Sequence, residues 1–233
     1  AMYNATPYAV IDNLIIPEDD ETAILDITTF LSEECKKREI AITGGETAIH
    51  NSMQGIELSI TMLGFIEKQK ENRYFVGDRL IGIKSAGLHS NGFTRVRSVF
   101  GEEFRQEFVA PTRVYLEEIL DLNKKIDIHG MSHITGGAYT KLRDHIQGCG
   151  IIINDPIVPQ GIFADLFSKG ISDQEMYKIF NCGTGFIIGV DKNDVDVCLK
   201  SFKEGDAKVI GEVIPGQNNI VIKSAFSGEE IVL

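Results

Sequence analysis

The chain has 233 residues, 23 Lys+Arg against 34 Asp+Glu and a formal charge of −11, and 43% of its residues are hydrophobic. That balance supports a folded core and excludes wholesale disorder, while the acidic surface argues against a broad nucleic-acid groove. No apolar run approaches the roughly 20 residues of a membrane span, and the N-terminus lacks the basic and apolar regions of a signal peptide, so a cytoplasmic protein is expected, with no membrane partner.

In chain order, Pro7–Ile16 reads as a strand. The acidic cluster Glu18-Asp19-Asp20 then opens a helix with Ile24, Ile27, Leu31 and Cys35 on one face, closed by Lys36, Lys37 and Arg38. Ile40–Thr43 reads as a short buried strand ending in the Gly44-Gly45 turn, and Glu57–Ile66 as a longer strand. A soft domain boundary falls at Val76-Gly77-Asp78, giving domains 1–76 and 77–233.

Beyond it, Leu80–Lys84 is a predicted strand, Asn91–Phe100 a helix, and Pro111 the first residue of a helix reaching about Ile126. A short strand ends at His133-Ile134-Thr135, followed by a helix over Gly137–Ile146. Strands are predicted at Gly150–Asn154, Thr184–Val190, Val209–Val213 and Ile220–Ile222, with helices near Gly161–Lys169, Asp173–Phe180 and Asn193–Phe202. The fold class is α/β, or α+β with mixed strand order. The four cysteines (Cys35, Cys149, Cys182, Cys198) have no CxxC pairing and read as reduced core thiols.

The 23 glycines against 6 prolines cluster where strands should hand over to helices. The strongest local signal is Ile83 to Phe93: a strand end, Gly87, then Ser90 or Asn91 able to cap a helix whose free N–H groups can face an anion. His89 is expected at the lip of that turn, neutral or protonated near pH 7 according to its neighbours. An ordinary βα turn with a surface histidine fits the same spacing. His133-Ile134-Thr135-Gly136-Gly137 repeats the pattern, although Thr-Gly-Gly also serves close helix–strand packing. Asn181-Cys182-Gly183-Thr184-Gly185 runs from helix into strand and fits a glycine helix stop. Gly44-Gly45-Glu46-Thr47 puts a carboxylate and a hydroxyl on a glycine turn, which makes Glu46 a candidate Mg²⁺ ligand, or a solvated side chain at a helix start. Ile42 to Gly45 and Ile134 to Gly137 are the same tetrapeptide, so either two sites share a strand-to-turn design or the repeat is coincidental. Neither phosphate-loop signature, GxxxxGK[ST] nor GxGxxG after a strand, is present. His129 and His133 are four apart in a region that reads as loop and strand, which disfavours a metal pair.

Taken in order, Gly44-Gly45-Glu46-Thr47-Ala48, Gly87 to Phe93, Pro111-Thr112-Arg113-Val114-Tyr115, His133 to Gly137, Met176 to Gly183 and Ile210-Gly211-Glu212-Val213 resemble the aminoimidazole ribonucleotide synthetase (phosphoribosylformylglycinamidine cyclo-ligase) family over essentially the whole chain. Selenophosphate synthetase, thiamine-monophosphate kinase, the hydrogenase maturation factor and formylglycinamidine ribonucleotide synthetase share that architecture and are the runner-up. Their segments at the histidine–glycine position differ from Leu88-His89-Ser90-Asn91-Gly92. Two departures stand out. The family's preceding Asp-Gly-Val-Gly-Thr-Lys stretch and Asn-Asp pair are missing before Met2, and Ala1 reads as a cloning scar, so a fragment, split gene product or truncated form is expected. Ile49-His50-Asn51-Ser52 and Ala138 replace the family's usual residues after Gly-Gly-Glu-Thr-Ala and His-Ile-Thr-Gly-Gly.

The resemblance implies a partial N-terminal dimer-barrel domain, a C-terminal mixed sheet with helices, a homodimer, and a site in the cleft between domains. It implies ATP-dependent closure of the imidazole ring on a small phosphorylated substrate, with phosphoryl activation of the formyl oxygen. Glu46 would hold Mg²⁺, and Gly44, Gly45 and Thr47 the nucleotide phosphates. His89 and Asn91 would be catalytic, and Ser90, Gly92, Arg113, Thr135, Gly136, Gly137 and Asn181 would bind substrate. The competing reading is a phosphate-binding fragment without turnover.

Overall fold

A computed structural model describes all 233 residues, which divide into two compact units: Asn4–Gln69, and Lys70–Leu233 together with Ala1–Tyr3.

In the smaller unit, β1 (Ala5–Ile16) is the central strand, α1 (Glu21–Lys37) crosses over, and β2 (Ala41–Ile49) and β3 (Glu57–Ile66) flank it. The strand order is β2-β1-β3, with β1 parallel to β2 and antiparallel to β3. Helix α1 forms where the charge pattern puts it. The Asp20 carboxylate accepts from the Ala23 N–H at 3.0 Å, Glu21 lies in the first turn, and Lys36 and Lys37 lie in the last, matching the helix dipole at both ends. Val10, Cys35 and Ile40 form its small core, with Leu31 packed against them.

Two expectations fail here. Ala41–Ile49 is a continuous, almost wholly exposed strand, so Ile40–Thr43 is not a buried strand and Gly44-Gly45 is not a turn. Parallel pairing with β1 carries the backbone straight through both glycines, with a register shift opposite Val10/Ile11. Gly45 lies against Asp12, which leaves no room for a Cβ. Strand β3 is exposed along its whole length, including Leu58, Ile60, Met62, Leu63, Phe65 and Ile66.

The larger unit is built on a seven-stranded sheet: β4 (Arg79–Lys84), β5 (Ile128–His133), β6 (Cys149–Ile153), β7 (Thr184–Val190), β8 (Ala207–Pro215), β9 (Ile220–Lys223) and β10 (Glu230–Val232). Its order is β10-β9-β6-β8-β4-β7-β5, all antiparallel except β6 with β9. Period-two alternation divides the core. Leu80 and Ile187 face one hydrophobic cluster with Leu142, Phe163 and Tyr177, while Ile81, Ile83, Ile188 and Val190 face the other with Ile119 and Leu122. The helices α2 (Phe93–Phe100), α3 (Leu116–Asn123), α4 (Gly161–Ser168), α5 (Asp173–Ile179) and α6 (Val195–Lys200) lie between the strands. All four cysteines are free and buried.

Pro111 does not start a helix. The helix begins at Leu116, because residues 111–115 are tied down by tertiary contacts: the Tyr115 hydroxyl donates to Lys84 O at 2.9 Å, and Arg113 pairs with Glu118 and Asp206. Ala138–His145 is a 3₁₀ helix, and β10 lies beyond the last predicted strand.

Candidate active site

The segment after β4 enters an unusual path at Gly87 (φ 149°) and continues through His89 (φ 58°) and Gly92 (φ 82°), which precedes α2. A β-carbon at Gly92 would overlap the Phe180 ring, so this position requires glycine for space as well as for its left-handed φ. His89 adopts a left-handed conformation that non-glycine residues rarely accept, and surrounding contacts hold it there. Asn181 does most of this holding. Its amide nitrogen donates to Gly87 O at 2.8 Å and Leu88 O at 3.3 Å, and its amide oxygen accepts from Gly183 N–H at 2.9 Å. Gln160 adds a bond to Ser85 O at 2.8 Å, and Asn91 Nδ2 donates to Ile179 O at 2.5 Å.

His89 is therefore not on a lip: only 3% of it is exposed. Its Nε2 accepts from the Ala86 N–H at 2.9 Å, which places the ring hydrogen on Nδ1, a buried atom with no partner. Burial, followed by the nearby His133 and Arg113, pushes its pKa down to about 4, so the ring is neutral at pH 7.

The second predicted turn stands beside the first. Ala138 N–H closes it onto Thr135 O at 2.5 Å, and Gly137 takes φ 80°. A Cβ on Gly136 would lie 3.6 Å from Asn91 Oδ1. The two Ile-Thr-Gly-Gly tetrapeptides thus adopt different structures, one a strand and one a turn. No side chain caps α2 or the 3₁₀ helix after Gly137. A shallow depression of about 540 Å³ lies at the start of α2, lined by Asn91, Gly92, Thr94 and Arg95 among others.

Other predicted residues are committed elsewhere. The Arg113 guanidinium holds Glu118 at 2.8 Å and Asp206 at 3.2 Å, which leaves it no free charge for a phosphate. Asn181 is buried and spends both ends of its amide on backbone, so it shapes the loop and does not face a ligand. Ser90 is exposed and its hydroxyl meets that of Thr112 at 3.2 Å. Gly44, Gly45, Glu46 and Thr47 lie along β2 in the other unit, on exposed strand. In neither unit do three His, Cys, Asp or Glu side chains gather as a metal would require.

Two residues of this neighbourhood were not among the predicted site residues. His133, at the end of β5, stacks on Phe186 with ring centres 6.1 Å apart, and its ring lies 6.1 Å from that of His89. Tyr115 lies 6.2 Å from His89 and 5.8 Å from His133. Both belong to recognised motifs, and only the fold shows which of their atoms turn inward. A Cβ at Gly185 would overlap the Tyr115 hydroxyl, so a glycine on β7 makes room for this cluster.

Comparison with known proteins places these residues in a family. Residues 1–66 match the N-terminal domain of AIR synthase related protein, and residues 76–224 match its C-terminal domain. The phosphoribosylformylglycinamidine cyclo-ligase of Methanococcus vannielii is 34% identical over 98% of this chain and 71% of its own length. The same-named protein of Pyrococcus furiosus is 35% identical over 84% of this chain, and the match spans 63% of the relative. Among solved structures, the hydrogenase maturation protein HypE of E. coli superposes with a TM-score of 0.77 at 18% identity, over 100% of this chain and 74% of that one. Aquifex aeolicus ThiL complexed with AMPPCP and TMP gives 0.66 at 16%, over 99% and 73%; at such identities the likeness is one of fold. The chain belongs to the AIR synthase related protein family.

Proposed function

We propose that the chain acts as a phosphoribosylformylglycinamidine cyclo-ligase, converting formylglycinamidine ribonucleotide and ATP to aminoimidazole ribonucleotide, ADP and phosphate. Relatives of that name at 32–35% identity support the reading. One structural observation carries it: the loop Gly87–Gly92 and the turn Thr135–Gly137 meet at Asn91 and Gly136, beside a buried, unpartnered His89 N–H.

The chemical problem is a poor leaving group. An amide oxygen does not depart when the amidine nitrogen attacks, and ATP supplies the phosphoryl group that converts it to phosphate. The protein's part at this end is to hold the amide. His89, neutral and with its hydrogen on Nδ1, serves as a hydrogen-bond donor and not as an imidazolium acid. The uncapped starts of α2 and of the segment after Gly137 offer backbone N–H groups to the substrate phosphate, with Ser90, Gly92, Thr135, Gly136 and Gly137 around them. Asn91 Oδ1 stands beside Gly136, where the two turns approach each other.

HypE in complex with ATP and ThiL with AMPPCP support nucleotide use in this fold. In this chain Gly44, Gly45 and Thr47 present an exposed edge strand, not a phosphate-cradling turn, and Glu46 has no neighbouring carboxylate cluster for Mg²⁺. Neither arrangement fits the expected group. The apolar side chains exposed on β3 suit coverage by a second copy of the chain, and we read the protein as a homodimer. No helix is long and apolar enough to cross a membrane, and four free cysteines suit the reducing cytoplasm of this reading.

The test is direct. The purified protein, given formylglycinamidine ribonucleotide and ATP–Mg²⁺, should form aminoimidazole ribonucleotide and ADP in equal amounts by mass spectrometry. Consumption of neither substrate at saturating concentrations contradicts the assignment and favours phosphate binding without turnover.

A further inference from the structure

The His89–His133 pair holds two orphaned atoms, of which only His89 Nδ1 has so far been given a role. His89 Nδ1 and His133 Nε2 are both buried and both lack a partner. A buried polar atom left unpaired is costly, and such atoms are uncommon in native proteins. Here two occur on rings whose centres are 6.1 Å apart, within one cluster closed by Tyr115 and Phe186. The rings make no hydrogen bond to each other. One oxygen atom accepting two hydrogen bonds of about 2.9 Å can bridge nitrogens up to about 5.8 Å apart, a separation that rings with centres 6.1 Å apart allow.

We propose that His133 is a second substrate-contacting residue, and that His89 Nδ1–H and His133 Nε2–H together hold a single carbonyl oxygen, that of the substrate's formyl amide. The Ala86 N–H fixes the His89 tautomer as the donor form required. Burial and the Lys141 charge hold the His133 pKa below its ordinary value, so it too is an uncharged ring at neutral pH. Two uncharged donors suit a neutral amide oxygen with two lone pairs, and they strengthen their hold as charge develops on it. A pre-ionised phosphate calls for a free cation or backbone N–H groups, and Arg113, whose charge acts on His89, is already paired with carboxylates. The inference rests on the cyclo-ligase reading for the identity of the amide, but not for the pairing itself.

The experiment is ¹⁵N NMR of the histidine rings in the full chain, with N-formylglycinamide as the probe. His89 should appear as the Nδ1–H tautomer and His133 as the Nε2–H tautomer. Both rings should shift with the same half-saturation concentration, and inorganic phosphate at equal concentration should move neither. His133→Ala should abolish the response at His89, and His133→Gln, whose amide can donate, should restore at least half of it. A response at only one ring, an Nδ1–H tautomer at His133, an unchanged His89 response in His133→Ala, or an equal response to phosphate overturns the proposal. A parallel turnover assay separates the two claims. With the cyclo-ligase reading correct, His133→Ala should raise KM for the amide substrate at least tenfold and leave KM for ATP within twofold. A wild-type protein that shows the paired shifts but no turnover refutes only the cyclo-ligase reading.

Discussion

Asn181 reaches across to Gly87, its amide nitrogen 2.8 Å from the carbonyl oxygen, and thereby joins the end of α5 to the loop that carries His89. Because the same side chain also serves Leu88 O and Gly183 N–H, one residue sets the path of two chain segments. Substrate contact is not needed to explain an asparagine here; the geometry of the loop is sufficient.

Removing that clamp should therefore act on folding as well as on chemistry. Asn181→Ala leaves two carbonyls and an N–H without a partner in a buried setting, and should cost about 2–3 kcal/mol. Urea unfolding measures this, and a loss below about 0.5 kcal/mol would mean that water or rearrangement replaces the amide. Asn181→Asp should be at least as damaging, since a carboxylate would face two carbonyl oxygens.

The two glycine motifs should respond oppositely to a methyl group. Gly92→Ala meets the Phe180 ring and a left-handed φ, and should destabilise by about 1–3 kcal/mol. Gly44→Ala has open space and ordinary strand geometry, and should stay within about 0.5 kcal/mol of the parent. Thermal unfolding of the two variants distinguishes a structural turn from a tolerant edge strand. A large loss at Gly44 would contradict the exposed strand.

This contrast shows how much could be read from residues alone. The strand and helix succession of the larger unit was legible because alternation and length mark Leu80–Lys84 and Thr184–Val190 as buried strands. The unusual backbone at Gly87 was legible too, because a glycine between a strand and a helix has few other uses, whereas Gly92, read as helical, is the left-handed residue that precedes α2. Ile-Thr-Gly-Gly at 42–45 carried the identical signal and was misread, because strand pairing with β1 overrides local preference and is invisible in the tetrapeptide. Arg113 and Asn181 were assigned to the substrate as polar motif residues, and only tertiary contacts reveal that both have partners inside the protein. The inward turn of His133 likewise depends on the β5–β7 pairing.

The pH dependence of stability follows from His89. Its folded pKa of about 4 lies below the ordinary imidazole value, so the unfolded chain binds the proton more readily. Stability from this group is intact above the unfolded pKa near 6.5 and is lost progressively as pH falls from there toward 4, with His133 acting in the same direction. His89→Gln, which stays neutral while keeping an acceptor for the Ala86 N–H, should flatten the curve over that window. Urea unfolding from pH 4 to 8 checks this, and an equally steep curve in the variant would place the titration elsewhere.

Cyclo-ligase activity at this site requires the loop after β4 and the turn after β5 to grip one molecule together. The direct measurement is the backbone amide NMR spectrum during titration with formylglycinamidine ribonucleotide. Gly92 and Gly136 amides should shift in parallel and saturate at one concentration, with the β2 amides of Gly44 and Gly45 unmoved by this ligand. Saturation at separate concentrations, or movement of one turn alone, would contradict a shared site.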